Sequence, residues 1–158
     1  GKDEEGGEDQ EAPFRERIAA LEGSGELPAE LVGAKFVHVR VPLDGLHAPS
    51  RQGSERDRDG GDVREVREDK RVAGSFAVGI MEQVHDFGPG GRVWDASVVL
   101  ASYLAHTYTG GMEGQSVIEL GAGCGLAGIA AARLGADTCL TDKAYVVPLL
   151  WANARINM

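Results

Sequence analysis

The chain has 158 residues, room for one domain, and 42% of them are hydrophobic, most of these lying after Arg71. Its 25 acidic against 16 basic residues give a formal net charge of −9, which argues against a non-specific binder of nucleic acid or anionic membrane, since both need a basic face. No window nears the roughly 18 uninterrupted apolar residues of a membrane span, the acidic first twenty residues hold no apolar signal-peptide core, and Cys124 and Cys139 have neither zinc-site spacing nor the numbers for a disulfide framework. The expectation is a reduced, intracellular protein, cytoplasmic with the nucleus as the alternative.

In chain order, residues 1–11 are an acidic, glycine-containing tail expected to be disordered. Phe14, Ile18 and Leu21 fall at helical spacing within 13–22. Residues 35–41 alternate, with Val37, Val39 and Val41 on one side and Phe36, His38 and Arg40 on the other, which predicts a strand. The stretch 51–71 mixes Arg, Asp, Glu and Gly with almost nothing apolar and reads as a solvated, disordered insertion. A second strand over 76–81, with Phe76, Val78 and Ile80 on one face, is expected to pair with the first as a β-hairpin. After the loop at 87–91 comes Arg92-Val-Trp-Asp-Ala96, where Asp95 is read as the N-cap of a helix over 96–106. Ala96, Leu100, Tyr103 and Leu104 are read as that helix's apolar stripe.

Residues 116–120 form a short β-branched run, followed by Gly-Ala-Gly-Cys-Gly at 121–125, a helix over 126–134 ending at Gly135, a second buried strand over 137–141 ending in Asp142, and a helix over 145–157. Cys139 is assigned to the core, and Leu149, Leu150 and Trp151 to the packing of the last helix on the sheet. This tail is a β-α-β-α unit with parallel strands. The domain division that follows is 1–11 as tail, 12–85 as helix and hairpin with the insertion at 51–71, and 86–158 as a cofactor-binding part.

A strand, a glycine-rich turn opening a helix, and an acid at the end of the next strand together form a nucleotide-cofactor site. The glycines permit a tight turn and close backbone approach, and Asp142 is placed to accept from ribose hydroxyls. The dinucleotide fingerprint needs its third glycine at the position held by Leu126, and Glu119 would set a carboxylate beside a pyrophosphate. The same carboxylate favours a ligand carrying a sulfonium and an ammonium group, at roughly 1.5–3 kcal/mol per charged hydrogen bond. S-adenosylmethionine suits that charge, and a nicotinamide dinucleotide does not. Cys124 is read as a small loop filler, and the four scattered histidines are assigned no ligand role, so no metal is expected.

Val93-Trp-Asp-Ala96, then Glu119-Leu-Gly-Ala-Gly123, then Thr141-Asp142, in this order and spacing, resemble the class I S-adenosylmethionine-dependent methyltransferases, and within them the methyltransferase-like protein-lysine methyltransferases. The resemblance covers 76–158. It implies an α/β, Rossmann-like class I methyltransferase fold, here truncated after the second parallel strand and its helix. It also implies cofactor contacts from Trp94, Gly121, Ala122, Gly123 and Asp142, to which the charge argument adds Glu119. A lysine side chain of a protein is the implied substrate, with no nucleic-acid or membrane partner and a monomeric complete protein. The family's substrate-facing Asp-x-x-Tyr type motif would follow Met158, so no catalytic residue is assigned. A non-catalytic fragment or adaptor that retains part of the cofactor fold is the alternative.

Overall fold

A computed structural model of the chain describes residues 11–42 and 75–158. The insertion at 51–71 and, but for Glu11, the acidic tail lie outside the described residues. Helix α1 (Ala12–Ser24) opens with a proline in its first turn and closes at Gly25 in the left-handed region, burying Phe14 and Leu21. Strands β1 (Lys35–Pro42) and β2 (Ser75–Glu82) pair antiparallel in the register Lys35↔Glu82 to Pro42↔Ser75. Gly79 on β2 leaves room for the ring of Phe14, because a Cβ there would come within 2.6 Å of Phe14 Cδ1.

A single turn, α2 (Val84–Phe87), and a 3-10 turn over Gly88–Gly91 lead into α3 (Asp95–Thr107). Beyond it, β3 (Ser116–Leu120) and β4 (Asp137–Thr141) run parallel, joined by α4 (Leu126–Arg133), and α5 (Val147–Asn157) follows. Buried side chains from β1, β2, α1, α3, α4 and α5 form one hydrophobic cluster, against which the half-buried Val117 of β3 and Leu140 of β4 pack. Among the described residues no helix is long and apolar enough to cross a membrane.

Several sequence expectations change in the folded chain. The α3 stripe is rotated: Ala101 and Ala105 are the buried positions and Leu104 packs half-buried against the core as expected, whereas Ala96, Leu100 and Tyr103 are exposed. Two alanines let α3 lie close against α4 and β1, and the larger side chains at 99, 100 and 103 are left outside. Asp95 is the first residue of α3 and not its cap. Trp94 occupies the cap position in extended backbone, and its carbonyl accepts from Ser97 N–H at 2.9 Å. Asp95 therefore contributes through the helix dipole in the first turn.

The expectation of a buried β4 also fails. The β3–β4 pair packs α4 on one face only, so burial alternates along both strands, and Cys139 is exposed with Ile118 and Leu120 on the open face. On α5, Leu149 and Leu150 are buried but Trp151 is exposed, with the Arg155 guanidinium 5.9 Å from its ring centroid. Leu149, Asn153, Ile156 and Asn157 take the inward stripe, and Trp151, two residues from Leu149, points nearly opposite.

The two asparagines on that stripe complete β2. Its outer edge would leave the N–H and C=O groups of Gly79 and Met81 unpaired in the interior. Asn157 Oδ1 accepts from Gly79 N–H at 2.9 Å and its Nδ2 donates to Gly79 O at 2.7 Å. Asn153 does the same for Met81, at 2.8 Å and 3.1 Å. Two carboxamides one helical turn apart thus take the place of a neighbouring strand.

Candidate functional site

The end of β3, the following loop and the end of β4 converge on one cleft. Ala122 N–H donates to Thr141 O at 2.9 Å, which stitches the loop to β4, and Gly125 N–H donates back to Ala122 O at 2.8 Å to close the turn into α4. Gly123 and Gly125 hold φ of 55° and 82°, the left-handed region that favours glycine. Gly123 also passes beneath the carbonyl of Gly90, 3.1 Å from where a Cβ would stand, and a Cβ at Gly125 would lie 2.6 Å from Leu150 Cδ1.

Asp142 closes the other side. Its Oδ2 accepts from Gly123 N–H and its Oδ1 from Lys143 N–H, both at 2.6 Å. Glu119 lies under the start of α4, where Oε2 accepts from Gly128 N–H at 2.9 Å. Gly128 is the third residue of that helix, so Glu119 supplies the capping acceptor that Gly125, the N-cap residue, cannot. Burial pushes the Glu119 carboxyl above its ordinary 4.5, the Gly128 bond opposes this, and the Asp142 charge adds to the rise. Among the described residues Oε1 has no hydrogen-bond partner.

Trp94 forms the opposite wall. It is held by a hydrogen bond from Nε1 to Pro89 O at 3.0 Å and by the guanidinium of Arg92, 5.9 Å from its ring centroid. The segment that carries it hangs from the end of β2: Val93 N–H donates to Glu82 Oε1 at 2.8 Å, and Gln83 N–H to Gly91 O at 2.9 Å. Burial alone would raise the Glu82 carboxyl, but the Val93 N–H and the Lys35 ammonium, 3.0 Å from Oε2, hold it below 4.5. Cys124 is buried, its thiol 3.4 Å from Gly90 O and pushed up to about 12 by burial, which makes it an inert filler of the loop.

Trp94, Glu119, Gly121, Ala122, Gly123 and Asp142, the six residues singled out from the sequence, all line this open cleft of about 490 Å³. That volume is within the usual range for small-molecule sites. Sequence reasoning missed Arg92, Gly90, Lys143 and Tyr145, which line it too, and Glu82, which holds the Trp94 segment from behind. Among the described residues no cluster of His, Cys, Asp and Glu could hold a metal ion.

Residues 75–158, from β2 to the end of α5, match the sequence profile of a family described as lysine methyltransferase. The chain belongs to that family. Among its relatives, mouse protein N-lysine methyltransferase METTL21A is 42% identical over 89 residues, covering 53% of this chain and 39% of the mouse protein. The zebrafish METTL21A is 47% identical over 66 residues, covering 42% of this chain and 30% of the relative. Mouse EEF1A lysine methyltransferase 3 is 38% identical over 71 residues, covering 45% and 30%. The chain thus spans about two-fifths or less of these lysine methyltransferases, and the cleft lies wholly within the family-matched segment.

Proposed function

We propose that the cleft binds S-adenosylmethionine and that the protein is a protein-lysine N-methyltransferase. The observation that carries this reading is that the tryptophan block, the glycine loop and the strand-end acid converge on one cleft inside a segment of the lysine methyltransferase family. The donor set fits the group. Asp142 holds the loop at Gly123 with one lone pair of Oδ2 and keeps others for ribose hydroxyls. Glu119 turns one oxygen to α4 and leaves Oε1 for a cationic group. The exposed Arg92 and Lys143 are available to a carboxylate.

When bound, the cofactor supplies a methyl group already activated by its sulfonium. This chain's part is to bind and orient it, through the loop amides, the two carboxylates and the Trp94 wall. A lysine acceptor needs more. With an ordinary pKa near 10.4, only about one amine in a thousand is neutral at neutral pH. No described residue of the cleft is assigned to deprotonating it. The reading includes a monomeric protein acting on protein substrates in the cytoplasm or nucleus.

Incubation of the full protein with methyl-labelled S-adenosylmethionine and a cell extract tests the activity. The expected result is label on lysine side-chain nitrogen of one or a few proteins, located by mass spectrometry and lost with Asp142→Ala. Cofactor binding with no transfer to any protein would favour a non-catalytic adaptor, and label on an atom other than lysine nitrogen would overturn the substrate class.

A further inference from the structure

Asn153 lies behind the cleft and lines none of it. It is fully buried in the middle of a helix, where asparagine is an unfavourable residue, so its place there must come from what its carboxamide bonds. Beside its two bonds to Met81, Nδ2 donates to Cys124 O at 3.0 Å. Cys124 is the loop residue between Gly123 and Gly125, and its carbonyl points away from the cleft toward α5. Asn157 is the natural comparison. It makes the same pair of bonds to β2, but its third bond goes to Asn153 O on its own helix, at 2.7 Å.

We propose that Asn153 is a positioning residue for the glycine loop, holding the 124–125 peptide so that the loop faces the cofactor, while Asn157 only completes the β2 edge. The proposal rests on the cofactor reading above and extends it to a residue the ligand does not touch. The physical reason is the cost of an unpaired buried carbonyl. Without the Asn153 donor, the Cys124 carbonyl must turn to find a partner. That rotates the peptide whose N–H, on Gly125, closes the loop onto Ala122, and it disturbs the neighbouring Gly123 amide that Asp142 holds. Truncating Asn157 frees Gly79 on the strand and removes one bond to the helix carbonyl of Asn153, and it unpairs no group of the loop.

The test compares Asn153→Ala with Asn157→Ala in the full chain, by amide hydrogen exchange and by titration with S-adenosylhomocysteine. Asn153→Ala is expected to speed exchange at Ala122, Gly123 and Gly125 by about tenfold or more and to weaken binding by about tenfold. Asn157→Ala should speed exchange at Gly79 and leave loop exchange and affinity within about twofold. A purely structural role would move both variants alike, and loop amides that respond equally in the two overturn the proposal. If the unaltered chain binds no S-adenosylhomocysteine, the cofactor reading fails while the exchange comparison still decides the positioning role. Should Asn153→Ala not fold, the side-chain protons of Asn153 in the unaltered chain decide. Slow exchange of both Nδ2 protons supports the bond to Cys124, and solvent-rate exchange of one of them contradicts it.

Discussion

Glu119 on β3 and Asp142 just past β4 are two carboxylates beside one loop with different work to do. Asp142 holds loop backbone and, on the proposed cofactor reading, accepts from the ribose hydroxyls common to S-adenosylhomocysteine and adenosine, so Asp142→Ala should weaken both ligands, by about 1.5–3 kcal/mol for lost charged hydrogen bonds. Glu119→Gln keeps an acceptor for Gly128 but removes the charge. It should weaken S-adenosylhomocysteine by a similar amount and leave adenosine, which lacks the cationic end, nearly unchanged. Equal losses for both ligands would make Glu119 a structural cap alone. The raised Glu119 pKa adds a pH signature. A bound ammonium favours the ionised carboxylate and lowers that pKa, so in the interval just above 4.5 binding should release a proton. Affinity should accordingly fall as the pH drops through the raised value. Calorimetry in buffers of different ionisation enthalpy reads the released proton directly, and Glu119→Gln should abolish it.

At the scale of elements, what holds the Trp94 wall is the end of β2. Glu82→Ala removes the acceptor of Val93 N–H and should cost about 1–3 kcal/mol. The Glu82 pKa is depressed, so its contribution is present above the unfolded value and is lost as the pH falls through the lower folded value. The stability gap between the parent chain and Glu82→Ala, measured by urea unfolding, should therefore close on acidification, and a gap that widens would contradict the assignment. Gly91→Ala probes the same junction sterically. Its Cβ would stand 2.0 Å from Gln83 O, which is backbone and cannot swing aside. It should destabilise the chain, read by the same urea unfolding.

The glycine loop, its flanking strands and Asp142 were legible in the sequence because their signal is local, a run of some two dozen residues with its own periodicity. The rotation of α3 was not, because its pattern offered Leu100 and Tyr103 as well as Ala101 and Ala105, and close packing against α4 and β1 chose the alanines. The asparagine pair was hidden for a related reason. Its partners lie 72 and 78 residues away, and the only trace is two polar residues at i, i+4 in an otherwise apolar stripe.

For the whole molecule, one hydrophobic cluster joins both strand pairs, yet the outer face of β3–β4 stays open, with Ile118 64% and Leu120 77% exposed. Exposed strands of this kind favour association between chains. Replacing both residues with threonine should change unfolding stability by no more than about 0.5 kcal/mol, since neither side chain is buried, while reducing self-association in sedimentation experiments. A large loss of stability would show that this face is packed in solution.

The central claim is that the converging residues make a site for S-adenosylmethionine and not for a dinucleotide. Isothermal titration of the full chain with S-adenosylhomocysteine and, separately, with NAD tests it most directly. The account predicts saturable binding of S-adenosylhomocysteine at one site per chain and no detectable heat with NAD at millimolar concentration. Binding of NAD that competes with S-adenosylhomocysteine, or failure of S-adenosylhomocysteine to bind a chain shown to be folded, would contradict it.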